Sequence, residues 1–351
     1  MSSGACQDAE VAAFTVDHFV PTRATPAAVA EWSAIFGAGQ SEASGGSVDA
    51  AAVAERLTGA DADDDAADAA LRWSAARPHG GPILAVAEIR PRPQATGLAF
   101  LRLFVTPPAR RAGIGSALLR PVLRGAAAAG YDRVQATVLA GPPGEPFARA
   151  FPGMRVAMRL EIEEQRLDDP AVLRRCRDLT GTAHPGYRLQ QWRDAAPEPL
   201  AASFGKVMGH VLDAPGAMFQ MAARHWDTPK VRAWEKEMTA AGRNLLVCAA
   251  IDRASGSVVA ATVASVALTG GPVANQHDTA VLPDHRRRGL ARWIKADQAM
   301  QLHASFPELT SVVVTLNQQN HPMIAVNRTL GYRPIIDRLL VEVPVRAPAS
   351  R

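Results

Sequence analysis

The chain has 351 residues, 48% of them hydrophobic and 21% charged, which suffices for two buried α/β cores and excludes a disordered polymer. The formal net charge of +4 suits a phosphate-bearing ligand, but the basic residues fall in short runs such as Arg286-Arg287-Arg288, so no nucleic acid is expected. Met1–Glu10 lacks the basic start and apolar run of an export signal, and no stretch is apolar enough to span a bilayer. A cytoplasmic protein that does not engage membranes is therefore expected.

In chain order, the acidic run Asp61-Ala62-Asp63-Asp64-Asp65 lies between a helix and a strand and reads as a solvated loop. Leu71–Ala75, Ile83–Ile89 and Gly97–Val105 have strand composition and are separated by Pro/Gly turns. A helix follows over Gly113–Ala129, ended by Gly130, and then a β-rich run over Arg133–Leu139. Arg155–Gln165 alternates like the last strand of a first domain. Asp169–Thr180 reads as a connecting helix with Asp168 or Asp169 as N-cap and Pro170 in its first turn. After the loop Thr180–Gly186, Tyr187–Trp192 opens a second domain. Asn244–Ile251 and Val258–Leu268 flank the turn Asp252–Ser257 as a hairpin, and Asn275–Leu282 is the next strand. Helices are expected over Gly289–Phe306 and Pro322–Leu330, the latter closed by Gly331, with a β-branched strand at Ser311–Leu316 between them.

The three cysteines Cys6, Cys176 and Cys248 show no paired or metal-type spacing, so a reducing compartment and no metal are expected. Cys248, inside Leu245–Ala250, reads as a small buried hydrophobe.

The chain repeats itself. Val105-Thr106-Pro107-Pro108-Ala109-Arg110-Arg111-Ala112-Gly113-Ile114-Gly115 is echoed by Val281-Leu282-Pro283-Asp284-His285-Arg286-Arg287-Arg288-Gly289-Leu290-Ala291. A single offset aligns Val105 with Val281, Pro107 with Pro283, Arg110 with Arg286, Gly113 with Gly289 and Gly115 with Ala291. The expected division is a first domain over 1–166, a linker helix and loop over 167–186, and a second domain over 187–351.

Physically, each copy is a strand stopped by proline, then a basic loop, then a helix N-terminus. Loop N–H groups and the helix dipole favour a pyrophosphate, and the arginines add charge. Glycine at 113 and 289 allows close backbone approach. Neither a Walker loop nor a complete Gly-x-Gly-x-x-Gly fingerprint is present.

The pattern Val-x-Pro-x-x-Arg-x-x-Gly-x-Gly/Ala before a helix resembles the coenzyme A pyrophosphate motif of the GCN5-related N-acetyltransferase (GNAT) superfamily. Asn320–Tyr332 resembles that family's following segment, Asn-x-x-(Ala/Met)…Leu-Gly-(Phe/Tyr). The whole second half is similar to a GNAT domain, and the pair to tandem GNAT proteins of actinobacteria. The first half resembles the family mainly through 104–118, with Glu145–Phe151 a degenerate match; its motif retains Arg110, Gly113 and Gly115 and could hold CoA, but its motif strand carries no acid, so the first domain is expected to be degenerate or a scaffold.

The resemblance implies an α/β (α+β) fold of two tandem GNAT domains. Each has a mixed, mostly antiparallel sheet, a central splayed parallel strand pair and flanking helices. It implies acetyl-CoA or another acyl-CoA as co-substrate and direct transfer to a small-molecule amine in a ternary complex. Cofactor contacts would fall on Val281, Arg286, Arg287, Arg288, Gly289, Leu290, Ala291 and Asn320. In the first copy they would fall on Val105, Arg110, Arg111, Gly113, Ile114 and Gly115. The backbone N–H near Val281 would polarise the thioester carbonyl. Asp278 is the best-placed general base, with its neighbour His277 as alternative, or else Asp278 is a structural hydrogen-bonding group. Asn327 occupies the position of the family's thiolate-protonating tyrosine and cannot donate as a phenol does.

Residues of roughly 200–235, such as His210, His225, Trp226 and Trp234, line an acceptor pocket or are simply packed. Alternatives are a donor other than acetyl-CoA, namely a longer acyl-CoA, a carrier-protein thioester or aminoacyl-tRNA, and a CoA-sensing module without turnover. Monomer and homodimer are both compatible with the sequence.

Overall fold

A computed structural model describes residues 14–44, 47–59, 70–92, 97–213 and 226–345. The acidic run at 61–65, Cys6, Met1–Glu10 and His225 lie outside the described residues. The chain forms two compact units, residues 1–157 with 339–351, and residues 158–338.

The first unit contains β1 (Thr15–His18), α1 (Pro26–Ser44), α2 (Ala50–Thr58), β2 (Leu71–Ala76), β3 (Ile83–Pro91), β4 (Leu98–Val105), α3 (Ile114–Ala128), β5 (Arg133–Leu139) and α4 (Gly144–Ala150). Its strands run in the order β1-β2-β3-β4-β5, and beyond β5 lies β12 (Arg333–Pro344), whose residues from Leu339 onward belong to this unit. Period-two alternation sorts the side chains onto two faces. Trp73, Ala85, Ala87, Ile89, Ala99 and Leu101 pack against Ile114, Leu118, Leu119 and Val122 of α3. Ile83 and Val86 point the other way, onto Trp32 and Phe36 of α1 and Val53 and Leu57 of α2. Small residues let α3 approach closely: a Cβ on Gly125 would stand 2.4 Å from Cζ2 of Trp73.

β6 (Arg155–Arg166) falls mostly in the second unit, where it pairs antiparallel with β11 (Ser311–Asn317) from Leu160↔Asn317 to Arg166↔Ser311. Its alternation does mark a strand, although sequence spacing had attached it to the first domain. The remaining elements are α5 (Pro170–Thr180), β7 (Tyr187–Arg193), α6 (Glu198–Gly209), α7 (Thr228–Ala240), β8 (Arg243–Asp252), β9 (Val258–Ala267), β10 (Val273–Val281), α8 (Leu290–Ser305) and α9 (His321–Thr329). Strand order is β6-β11-β10-β9-β8-β7. Asp169 caps α5 by accepting from the Ala171 N–H. Val172 and Cys176 of α5 are buried in the second unit's core with Leu302, Leu316 and Leu330, so this helix is packed structure rather than a free connector.

In both units the two parallel strands of the centre are bonded only briefly. β4 and β5 pair from Leu98↔Arg133 to Phe100↔Gln135, and β10 and β11 from Val273↔Ser311 to Asn275↔Val313. Beyond those residues the pairs splay. The mixed α/β architecture with splayed parallel pairs is the expected one.

Trp32 is fully buried, stacks between Phe19 and Phe36, and donates from Nε1 to the Trp73 carbonyl at 3.2 Å. Trp32→Ala should cost the protein about 3–5 kcal/mol, read as a lower urea midpoint at unchanged slope.

Candidate functional site

The loop after each motif strand has the same backbone. Arg111 and Gly113 have φ of 67° and 78°, and Arg287 and Gly289 have φ of 61° and 81°. Left-handed backbone at a non-glycine residue is costly and persists only where surroundings impose it. Its recurrence two residues before each left-handed glycine gives both copies the same turn into a helix start. The helices begin at Ile114 and Leu290, each with a glycine N-cap that offers no side-chain cap.

The aligned arginines are fixed the same way in both copies. Arg110 Nε donates to the Val105 carbonyl at 3.1 Å, and its terminal nitrogens bind Glu42 of α1, the shorter contact being 2.6 Å. Arg286 Nε donates to the Val281 carbonyl at 3.0 Å, and its guanidinium pairs with Asp213. His210 and Arg286 hold the Asp213 carboxyl below its usual range. Both arginines therefore tie the loop to a preceding segment. Arg288 donates to the Tyr187 hydroxyl at 3.0 Å, which also contacts His285 Nδ1 at 2.9 Å. Ile114 and Leu290 are buried and anchor their helices in the core. Asn320 is the N-cap of α9 and accepts from the Met323 N–H at 3.3 Å.

In the first unit the splay opens a cavity of about 510 Å³. Leu103, Phe104 and Val105 of β4 form one wall, and Thr137, Val138 and Leu139 of β5 the other. Arg111, Gly113, Ile114 and Gly115 close one end, and Phe147 of α4 completes the lining. A Cβ on Gly115 would meet Phe147 at 3.3 Å and Val105 at 3.5 Å. In the second unit Ala291 stands at that position, and His184 rests 3.2 Å from where a Gly289 Cβ would be while stacking on Trp293.

Only the second unit's motif strand is irregular. β10 shifts register against β9 between Gln276 and Thr279, whereas β4 pairs with β3 without interruption from Ala99 to Val105. The bulge carries His277 and Asp278. His277 Nε2 contacts Ser265 Oγ at 2.7 Å. His277 is exposed at the surface, yet desolvation by the atoms packed around the ring, helped by Arg243, lowers its pKa to about 4, so it is neutral at pH 7. Asp278 is half-buried. At the aligned position of the first unit stands Arg102.

Asn327 is fully buried and donates to Glu163 Oε2 of β6 at 2.7 Å. Beside it lie buried Glu161, Lys295 and Tyr332, with Lys295 Nζ 5.0 Å from the Tyr332 ring centre. Desolvation raises the Glu163 pKa and lowers that of Lys295 to about 7. Trp226 and Trp234 pack edge to face in the α6/α7 layer, and His210 contacts Asp213 at 2.9 Å. Cys248 is buried with its Sγ donating to Asp297 at 3.1 Å, and desolvation raises its pKa. Among the described residues no group of three His, Cys, Asp or Glu side chains could hold a metal, and no helix is long and apolar enough to cross a membrane.

Residues 49–149 match the model of the acetyltransferase (GNAT) family. That stretch is therefore similar to a GNAT domain, and the fold of the whole chain is that of tandem GNAT structures. A tandem GNAT protein from the clavulanic acid biosynthesis pathway, solved without acetyl-CoA, superposes with a TM-score of 0.70 at 22% identity, covering 96% of this chain and 100% of that one. A GCN5-related N-acetyltransferase from Sphaerobacter thermophilus gives 0.67 at 14% identity over 96% and 98%. No curated protein matches the chain by sequence. The GNAT match falls on the half that sequence reading had treated as degenerate, where the open cavity also lies.

Glu42, Asp213 and His184 had no sequence signal, and Phe147 stood only within the degenerate segment 145–151. Glu42 is 68 residues from its arginine and Asp213 is 73 residues from its own, so only folding identifies the pairs.

Lys295 has a lower pKa folded than unfolded, where it lies near 10.4. Between about pH 7 and 10 the unfolded chain therefore binds more protons, and this group adds stability as pH rises. Wild type should gain on Lys295→Met across that window by up to about 1.4 kcal/mol per pH unit. Urea denaturation at pH 7, 8.5 and 10 measures the difference.

Proposed function

We propose that the protein transfers an acetyl group from acetyl-CoA to the primary amine of a small molecule, by direct attack in a ternary complex. The observation that carries this reading is the pair of matching turns, read as anion-binding nests, each set where two parallel strands splay. A pyrophosphate bridging the N–H groups of 111–115 or 287–291 would receive the helix dipole as well. The splay gives an extended pantetheine unpaired strand edges to bond, and the first unit's cavity has the volume for such an arm. In this reading Arg110 and Arg286 brace the loops while Arg111, Arg287 and the backbone face phosphate.

The chemistry is assigned to the second unit. A bulge frees backbone groups from the ladder and re-aims side chains. At 276–279 it supplies an N–H for the thioester oxygen and presents Asp278 to the incoming ammonium. Asp278 takes one ammonium proton, the neutral amine attacks the thioester carbon, the C–S bond breaks as CoA thiolate leaves, and the acylated nitrogen gives its second proton to water. Neutral His277, held by Ser265, is the second candidate base. Asn327, turned onto Glu163, is assigned a structural role, so the thiolate takes its proton from water. The acceptor is a small amine, and the protein acts in the cytoplasm as a monomer or homodimer.

Asp278→Asn should lower kcat about 100-fold or more while the CoA Kd stays within twofold, measured by thiol release with an amine panel and by calorimetry. Unchanged turnover removes Asp278 from the mechanism. Gly115→Val, which drives side-chain atoms onto Phe147 and Val105, should abolish CoA binding in the first unit and reduce the calorimetric stoichiometry from two sites per chain to one. Unaltered stoichiometry would overturn the first-unit site.

A further inference from the structure

On the α1/α2 face of the first unit, four guanidinium groups converge on one carboxylate. Sheet register sets Arg72, Glu88 and Arg102 in a row across β2, β3 and β4. Arg90 follows two residues after Glu88 on the same face, and Arg56 reaches in from α2. Arg72 Nε and Arg90 Nε each lie 2.9 Å from a Glu88 oxygen, Arg56 Nη1 3.3 Å and Arg102 Nη1 3.4 Å. Glu88 has no solvent exposure. Burial opposes its ionisation, but Arg90, Arg56 and Arg72 outweigh that and hold its pKa to about 2.

Among the described residues the charges do not balance. One buried carboxylate faces four arginines, leaving three positive charges in surplus. Two aromatic rings form the floor: Arg56 and Arg102 lie over Phe36 at 5.7 and 6.0 Å, and Arg102 lies over Phe100 at 5.9 Å. Like charges gathered on partly desolvated ground repel one another, and a buried ion pair needs only one or two of them. Arg56 and Arg102 each give Glu88 one N–H of the five that a guanidinium carries. Arg56, Arg90 and Arg102 keep 36–37% of their side-chain surface open to solvent. Arg102 also occupies the motif-strand position that holds Asp278 in the second unit, one residue before Leu103 enters the cavity wall.

We propose that this cluster is a binding site for a multiply charged anion, carboxylate or phosphate, so that the first unit recognises an anionic ligand where the second presents an acid to an amine. Guanidinium forks match the planar or tetrahedral oxygens of either group. Glu88 then acts as the pedestal: it holds the four arginines in register and leaves their outward N–H groups for the ligand. The proposal rests on the charge arrangement and not on the acetyl transfer assigned above, and its test needs no turnover.

Full-length protein saturated with CoA, which fills the phosphate loops, is titrated calorimetrically at low salt with citrate, with inorganic phosphate and with neutral glycerol. Saturable binding of citrate or phosphate, but not glycerol, is expected, and it should weaken with added sodium chloride. The Kd should rise at least tenfold in Arg102→Gln and in Arg56→Gln and stay unchanged in Arg23→Gln. Tighter citrate points to a polycarboxylate ligand, tighter phosphate to a phosphate ester. Two arginine variants are used because either alone could disturb the fold, which circular dichroism reports. Wild type that binds neither anion, or folded Arg102→Gln and Arg56→Gln that bind as tightly as wild type, would overturn the proposal.

Discussion

Everything in each unit follows from two parallel strands that hydrogen-bond for three residues and then part. A parallel ladder broken in mid-sheet leaves N–H and C=O groups without strand partners, which a fold cannot bury without a substitute. The chain resolves this by ending one strand at a proline, turning through two left-handed residues, and starting a helix whose N–H groups face the same gap. In the first unit the strand edges, the turn and the helix start line one cavity.

The arginine of the motif shows how this geometry is held. Arg110 and Arg286 each spend Nε on the last carbonyl of the motif strand and their terminal nitrogens on an acid from an earlier segment. A carbonyl left without a strand partner is thereby satisfied, and the loop is locked to a distant part of the chain. Such bracing is what a nest needs, because left-handed arginines at 111 and 287 are not stable on local grounds.

Duplication gives an internal comparison. Backbone features are shared: the splay, the nest and the brace. Side chains have diverged where chemistry is at stake. On the motif strand, Arg102 faces a buried glutamate where Asp278 sits on a bulge. Behind the second unit's splay, Glu161, Glu163, Lys295 and Asn327 form a polar interior, whereas Leu339, Val341 and Ala148 make that of the first unit apolar. The scaffold tolerates both, since each unit buries its own sheet against helices.

Local order was written in the sequence. Strands such as Arg133–Leu139 matched their alternation, helix ends fell at Gly130 and Gly331, and the repeat exposed both nests, because turns and periodicity depend on neighbours within a few residues. The pattern shared by 105–115 and 281–291 was equally legible, since the left-handed backbone at 113 and 289 calls for glycine. Tertiary structure alone decided the rest. The strand at 155–166 looked like the end of the first domain and instead pairs with β11, because alternation defines a strand but not its partner. Asn327 read as a cleft residue and is buried on Glu163, because the facing element is 164 residues away. The open cavity, the brace acids and the arginine cluster all depend on such long-range placement, which no local pattern encodes.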